Sequence, residues 1–141
     1  MNQYNRNQQR PGNRDQRPAA PQVQLGPFFD EKGNLEKDWV GCKAKQFAEE
    51  INTGDLKSTA LRNFYNEFLR IKHLPEQNHE EKKILIRLLI SKAHYKKNTA
   101  NLPPRFVSFI EKLISEVNDD LKKFDKACLV MEAIVGYFPK R

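Results

Sequence analysis

Arg62, Asn66, Arg70 and His73 fall at i, i+4, i+8 and i+11, and Lys83, Arg87, Ser91 and His94 repeat that spacing. On a helix turning about 100° per residue each set forms one stripe along one face, so two cationic stripes stand on sequence-adjacent segments. Lys57 precedes the first stripe, and Lys92, Lys96 and Lys97 close the second. The chemistry open to such a set is phosphate contact, in which an arginine fork engages two oxygens and a lysine supplies a compact charge. The competing reading is that these side chains simply solvate the open face of an amphipathic helix. Spacing alone leaves both open. No recognition helix with the usual turn stands out, so nucleic-acid binding through Lys57, Arg62, Arg70, Lys83, Arg87, Lys92, Lys96 and Lys97 is expected to ignore base sequence.

Catalysis finds less support. Arg87 and His94 form an R-x6-H spacing that puts both on one helical face two turns apart. This resembles the motif of the all-helical HEPN ribonucleases, where an Arg and a His act on a phosphodiester. A polar residue commonly follows the Arg in that family, whereas Leu88 follows it here. His73, His79 and His94 lack HExxH spacing, and no Ser or Cys nucleophile motif or Gly-rich phosphate loop is present. No catalytic residue, metal site or cofactor is assigned, and the chain is expected not to be an enzyme.

The elements that must hold these stripes read as helix throughout. Leu35, Val40, Ala44, Phe47, Ala48 and Ile51 recur at helical spacing before a break at Thr53-Gly54-Asp55. Ser58 or Thr59 is placed to cap a second helix with Leu61, Phe64, Tyr65, Phe68 and Ile71 on its apolar face. Asn78 with Glu81 three residues on is similar to a capping box for a third. In that third helix Ile84, Leu85, Ile86, Leu88, Leu89, Ile90, Ala93 and Tyr95 cover most of the circumference, which predicts a central helix reaching solvent only along its basic stripe. Tyr65 and Tyr95 are both read as core. Pro103 and Pro104 suit the first turn of a fourth helix, and after Asn118-Asp119-Asp120 a fifth runs to Pro139. The expected fold is all-α, a single compact bundle of about five helices.

Composition sets the bounds on this domain. The chain has 141 residues and a formal net charge of +7, enough for one core and too little for two. Residues 1 to 27 hold six Gln, four Asn, four Pro and four Arg with scarcely an apolar side chain, so they are expected to form a disordered tail before a domain of residues 28–141. Residues 30 to 54 carry four Lys against six acids, and residues 55 to 97 ten Lys/Arg against five. The basic excess of the domain thus sits in its middle third, where the stripes are. Cys42 and Cys128 lie among apolar neighbours and are read as buried, reduced thiols. No apolar run approaches the roughly 18 residues of a membrane span, and the N-terminus lacks the apolar segment of a secretory signal.

The run from Gly26 to Arg141 resembles the small, all-helical subunit of type III-A CRISPR effector assemblies, the Csm ribonucleoprotein. The resemblance is carried by STALRNFYNEFLRI at 58 to 71, LLISKAHYKK at 88 to 97, LPPRFVSFIEKLI at 102 to 114 and FDKACLVMEAIVGYFP at 124 to 139. The tail of residues 1 to 27 has no counterpart in it. The resemblance implies a non-catalytic subunit in antiviral defence. Copies of it stack along the inner side of the complex beside the backbone subunits that hold the CRISPR RNA, and their basic faces contact the target RNA backbone in the guide-target duplex. Arg62, Arg70, Lys92, Lys96 and Lys97 fall in matched runs, while Lys57, Lys83 and Arg87 come from the stripes alone. The implied partners are target RNA and CRISPR RNA, the backbone and large subunits, and further copies of the chain; no membrane partner is expected, and the setting is the prokaryotic cytoplasm. The alternative is a stand-alone helical nucleic-acid-binding protein, with a HEPN-like RNase third.

Overall fold

The apolar spacing becomes five helices in a computed structural model that describes residues 22–139. They are α1 (Cys42–Glu50), α2 (Ser58–Lys72), α3 (His79–Thr99), α4 (Pro104–Val117) and α5 (Leu121–Tyr137), with short 3-10 turns at Lys37–Val40 and Glu76–Asn78. The described residues form no strand beyond a single bridge between Phe29 and Leu35. None of these helices is long and apolar enough to cross a membrane.

Two of the boundaries follow the expected chemistry. Pro104 opens α4, where its missing N–H costs nothing. Asp120 caps α5, its carboxylate accepting the amides of Lys122 (2.9 Å) and Lys123 (3.2 Å). Before it, Asn118 and Asp119 take left-handed backbone at φ 48° and 64°, a conformation that short polar side chains tolerate. The caps expected of Ser58 and Asn78 do not form: the cap position of α2 is Lys57, and neither it nor Asn78 makes a side-chain cap bond. The C-terminus of α2 is closed instead by Lys82 of α3, which is buried and donates to the carbonyl of Lys72 at 3.1 Å.

The centre of the bundle is α4 and α5, which corrects the expectation for α3. Phe106, Val107, Phe109, Ile110, Leu113, Ile114 and Val117 are all buried along α4, and α5 packs against each of the other four helices. Aromatic rings tie the two halves of the core together through α4. Phe109 stacks on Phe47 at 4.7 Å and meets Phe28 edge-on at 5.5 Å, while Phe106 meets Phe64 edge-on at 5.4 Å. The helix α3 buries only Lys82, Ile86, Leu89 and Ala93. Apolar residues cover most of its circumference, yet neighbours cover one side of it alone.

Contacts with the bundle begin before Phe28. Residues 22–27, assigned above to the tail, lie along the bundle: Val23 is buried, its amide donates to Glu50, and its carbonyl accepts from Arg105. Arg105 also pairs with Glu50, whose carboxylate is largely buried. Glu116 then accepts the amides of Phe28 (2.8 Å) and Phe29 (3.3 Å). The strap is therefore seated by Val23 and Leu25 against the core and by Glu50, Arg105 and Glu116 on its backbone, long-range partners that composition does not show. Gly26 sits at φ +95°, and a Cβ there would meet Glu116 Oε2 at 2.5 Å, so only glycine fits both the turn and the approach. Arg6, Arg10, Arg14 and Arg17 lie outside the described residues.

Candidate nucleic-acid interface

α2 and α3 run antiparallel across the Glu76–Asn78 turn, with the N-terminal half of α2 beside the C-terminal half of α3. Two contacts fix this register: Lys92 Nζ to Glu67 at 2.7 Å, and Lys82 Nζ to the Lys72 carbonyl. The buried residues of α3 define its inner face, and at about 100° per residue Ile84, Leu88, Ser91 and Tyr95 fall opposite it. Ile84 is 62% exposed, Leu88 44% and Tyr95 66%. Tyr95 is thus not core, whereas Tyr65 is partly buried against the core as expected.

The eight expected phosphate-contacting residues are all accessible to solvent, and they divide into two groups. Arg87 forms a two-pronged pair with Asp119, at 3.0 and 2.6 Å. Lys83 pairs with Glu80 at 3.1 Å, Arg70 with Glu67 at 3.1 Å, and Lys92 with the same Glu67. Lys57, Arg62, Lys96 and Lys97 make no ion pair or side-chain hydrogen bond among the described residues. Along the helix axes these four belong to one end of the α2/α3 pair, though Arg62 and Lys97 border different hollows. Lys57 and Arg62 stand on the entry to α2, and Lys96 and Lys97 on the last turn of α3. Lys97 borders a hollow of about 290 Å³ with Thr53, Asp55 and Pro103, two residues ahead of Lys57. Arg62 borders another with Ser58, Val135 and Phe138.

The stripes therefore form one open end and one neutralised end. Acids are scarce within each stripe, but Asp119 arrives from the turn after α4 and Glu67 from beside the α2 stripe. The i, i+3 spacing of Glu67 and Arg70 is visible in sequence; the cross-helix partners are not. Electrostatics agrees with the pairing. Lys92 first and Arg70 second hold the Glu67 carboxyl below the ordinary glutamate range. The Arg87 hydrogen bond likewise lowers Asp119, and Asp119 raises Arg87.

The Arg87/His94 pair does not converge on a shared site. His94 Nε2 lies 2.9 Å from Glu111 Oε2 of α4, and Arg87 is committed to Asp119. Among the described residues no group of three or more His, Cys, Asp or Glu could hold a metal. Burial pushes the Cys128 thiol up to about 12, so it is inert as a nucleophile. Cys42 is exposed, contrary to expectation, because it opens α1 at the rim of the bundle.

The family model described as Csm2 Type III-A matches residues 34–139. No curated protein and no solved structure matches the chain.

Proposed function

The chain belongs to the Csm2 Type III-A family, subunits of the type III-A CRISPR Csm complex, and from that premise we propose that it is a non-catalytic subunit that holds the target RNA backbone without reading its sequence. The observation that carries this reading is the group of Lys57, Arg62, Lys96 and Lys97, brought to one end of two antiparallel helices with no acid engaging them. Cations left unpaired at one end of a helix pair form a field suited to a polyanion. Their phosphate contacts position a strand and carry no sequence information, which base pairing with a guide supplies. Arg70, Lys83, Arg87 and Lys92 extend the track once phosphates displace their acid partners. CRISPR RNA, the backbone and large subunits and further copies of the chain complete the proposed partners. The separate engagement of Arg87 and His94 by Asp119 and Glu111 supports binding over phosphodiester cleavage.

Purification of the chain from its native host tests the proposal. Companion subunits and a short guide RNA should accompany it, and the assembly carrying His94→Ala should cleave target RNA at the unmodified rate. Recovery of the chain alone favours the stand-alone nucleic-acid-binding reading, and loss of cleavage in an intact His94→Ala assembly assigns the chemistry to this subunit.

A further inference from the structure

Tyr95 is the most exposed of the large apolar side chains among the described residues. Its ring makes no aromatic contact there, and its side chain makes no hydrogen bond. It ends a ridge that starts with Ile84 and Leu88, and the electrostatics changes along that ridge. Beside Ile84 and Leu88 the cations Lys83 and Arg87 are neutralised by Glu80 and Asp119. Around Tyr95 the balance is positive: Lys92 lies three residues before it and Lys96 follows it. The helix carries no acid after Glu81. Two acids reach this region: Glu67 from α2, engaged by Lys92, and Glu111 from α4, 2.9 Å from His94 Nε2, which leaves Lys96 without an acid partner.

An apolar face next to the unpaired Lys96 and to Lys92, whose charge is shared with Glu67, calls for a ligand that is itself apolar in part and anionic in part. A single strand of RNA has that character, with flat bases on a phosphate chain, and any base offers a face to an aromatic ring. Lys92 and Lys96 are one helical turn apart, about 6 Å, a step comparable with that between successive phosphates of an extended strand. We propose that Tyr95 is a stacking platform for an unpaired RNA base, with Lys92 and Lys96 holding the phosphates that flank it. The inference rests on the RNA-contacting reading and adds to it a contact that salt does not screen. It also distinguishes single strands, whose bases are free, from closed duplex.

The test uses the full chain, labelled oligouridine and a blunt-ended RNA duplex of equal length, with affinities measured over a series of salt concentrations. Tyr95→Ala should weaken single-strand binding by roughly tenfold with an unchanged salt slope. Tyr95→Phe should stay within about twofold of the unmodified chain, since a phenyl ring presents the same stacking face. Duplex binding should not change, and Leu88→Ala should bind both RNAs normally. The exposure of Tyr95 means that none of these changes should lower the melting temperature. Unchanged single-strand affinity in Tyr95→Ala, beside weakened affinity in Lys96→Ala, overturns the platform and leaves the phosphate track standing. Normal RNA affinity in Tyr95→Ala and Leu88→Ala, with both released from the companion subunits, identifies the ridge as a protein-docking face and overturns the platform equally. Absence of RNA binding by the unmodified chain removes both readings.

Discussion

Glu67 decides how much positive charge the interface presents. One carboxylate at the junction of α2 and α3 engages Lys92 at 2.7 Å and Arg70 at 3.1 Å, so two of the eight candidate cations are held by a single acid. Glu67→Gln keeps the shape and removes the charge. It should strengthen binding of single-stranded RNA by several-fold at low salt, with the gain fading as salt screens it, which a salt titration of both proteins would show. The same residue sets a pH dependence of stability. Its lowered pKa means that the charged form is favoured by folding, so its contribution is complete above the ordinary glutamate value of 4.5 and is lost as pH falls through the lower folded value. The difference in melting temperature between the unmodified chain and Glu67→Gln should be constant near neutral pH and close on acidification below about 4.5. A difference that persisted in acid would mean that shape, not charge, carries the effect.

The helices show how far pattern reasoning reaches. All five elements were legible from apolar spacing, because each buries one side against α4 or α5, and burial of that side is what the period of 3.6 records. The position of α3 was not legible. Its apolar circumference includes Ile84, Leu88 and Tyr95, and nothing in the spacing distinguishes a face covered within the domain from one left open. The neutralised half of the interface was hidden for a related reason: Glu111 approaches from α4 and Asp119 from the turn after it, far from His94 and Arg87 in sequence. Division of the stripes into paired and unpaired cations gives a graded expectation. Arg62→Ala and Lys96→Ala should each flatten the dependence of log K on log salt by roughly 0.7, the value for one phosphate on a single strand. Lys83→Ala should change the slope less, since Glu80 already holds its charge. Equal slopes for all three variants would show that the acid partners are displaced on binding.

For the whole molecule the strap from residue 22 to Phe29 ties the start of the described chain to the bundle. A chain shortened to begin at residue 22 should melt as the full chain does, because residues 1–21 contain little to bury. A chain beginning at Phe28 loses Val23 and leaves the largely buried Glu50 and Arg105 without their backbone partners. Burial of a valine is worth about 1.5 kcal/mol, so the melting temperature should fall by roughly 3–8 °C. Gly26→Ala should lower it without deleting anything, through the strain of a side chain at φ +95° and the crowding of Glu116. If the chain beginning at Phe28 melted normally, the strap would be shown to add nothing to stability. The strap also has a place in time. It leaves the ribosome before the residues that seat it, for Arg105 lies 82 positions after Val23 and Glu116 lies 88 after Phe28. At about 5–20 residues per second that interval is roughly 4–18 s. For most of it Phe28 has no Phe109 to pack against, and a nascent chain arrested before Phe109 should present this aromatic segment to chaperones and proteases that the finished chain excludes.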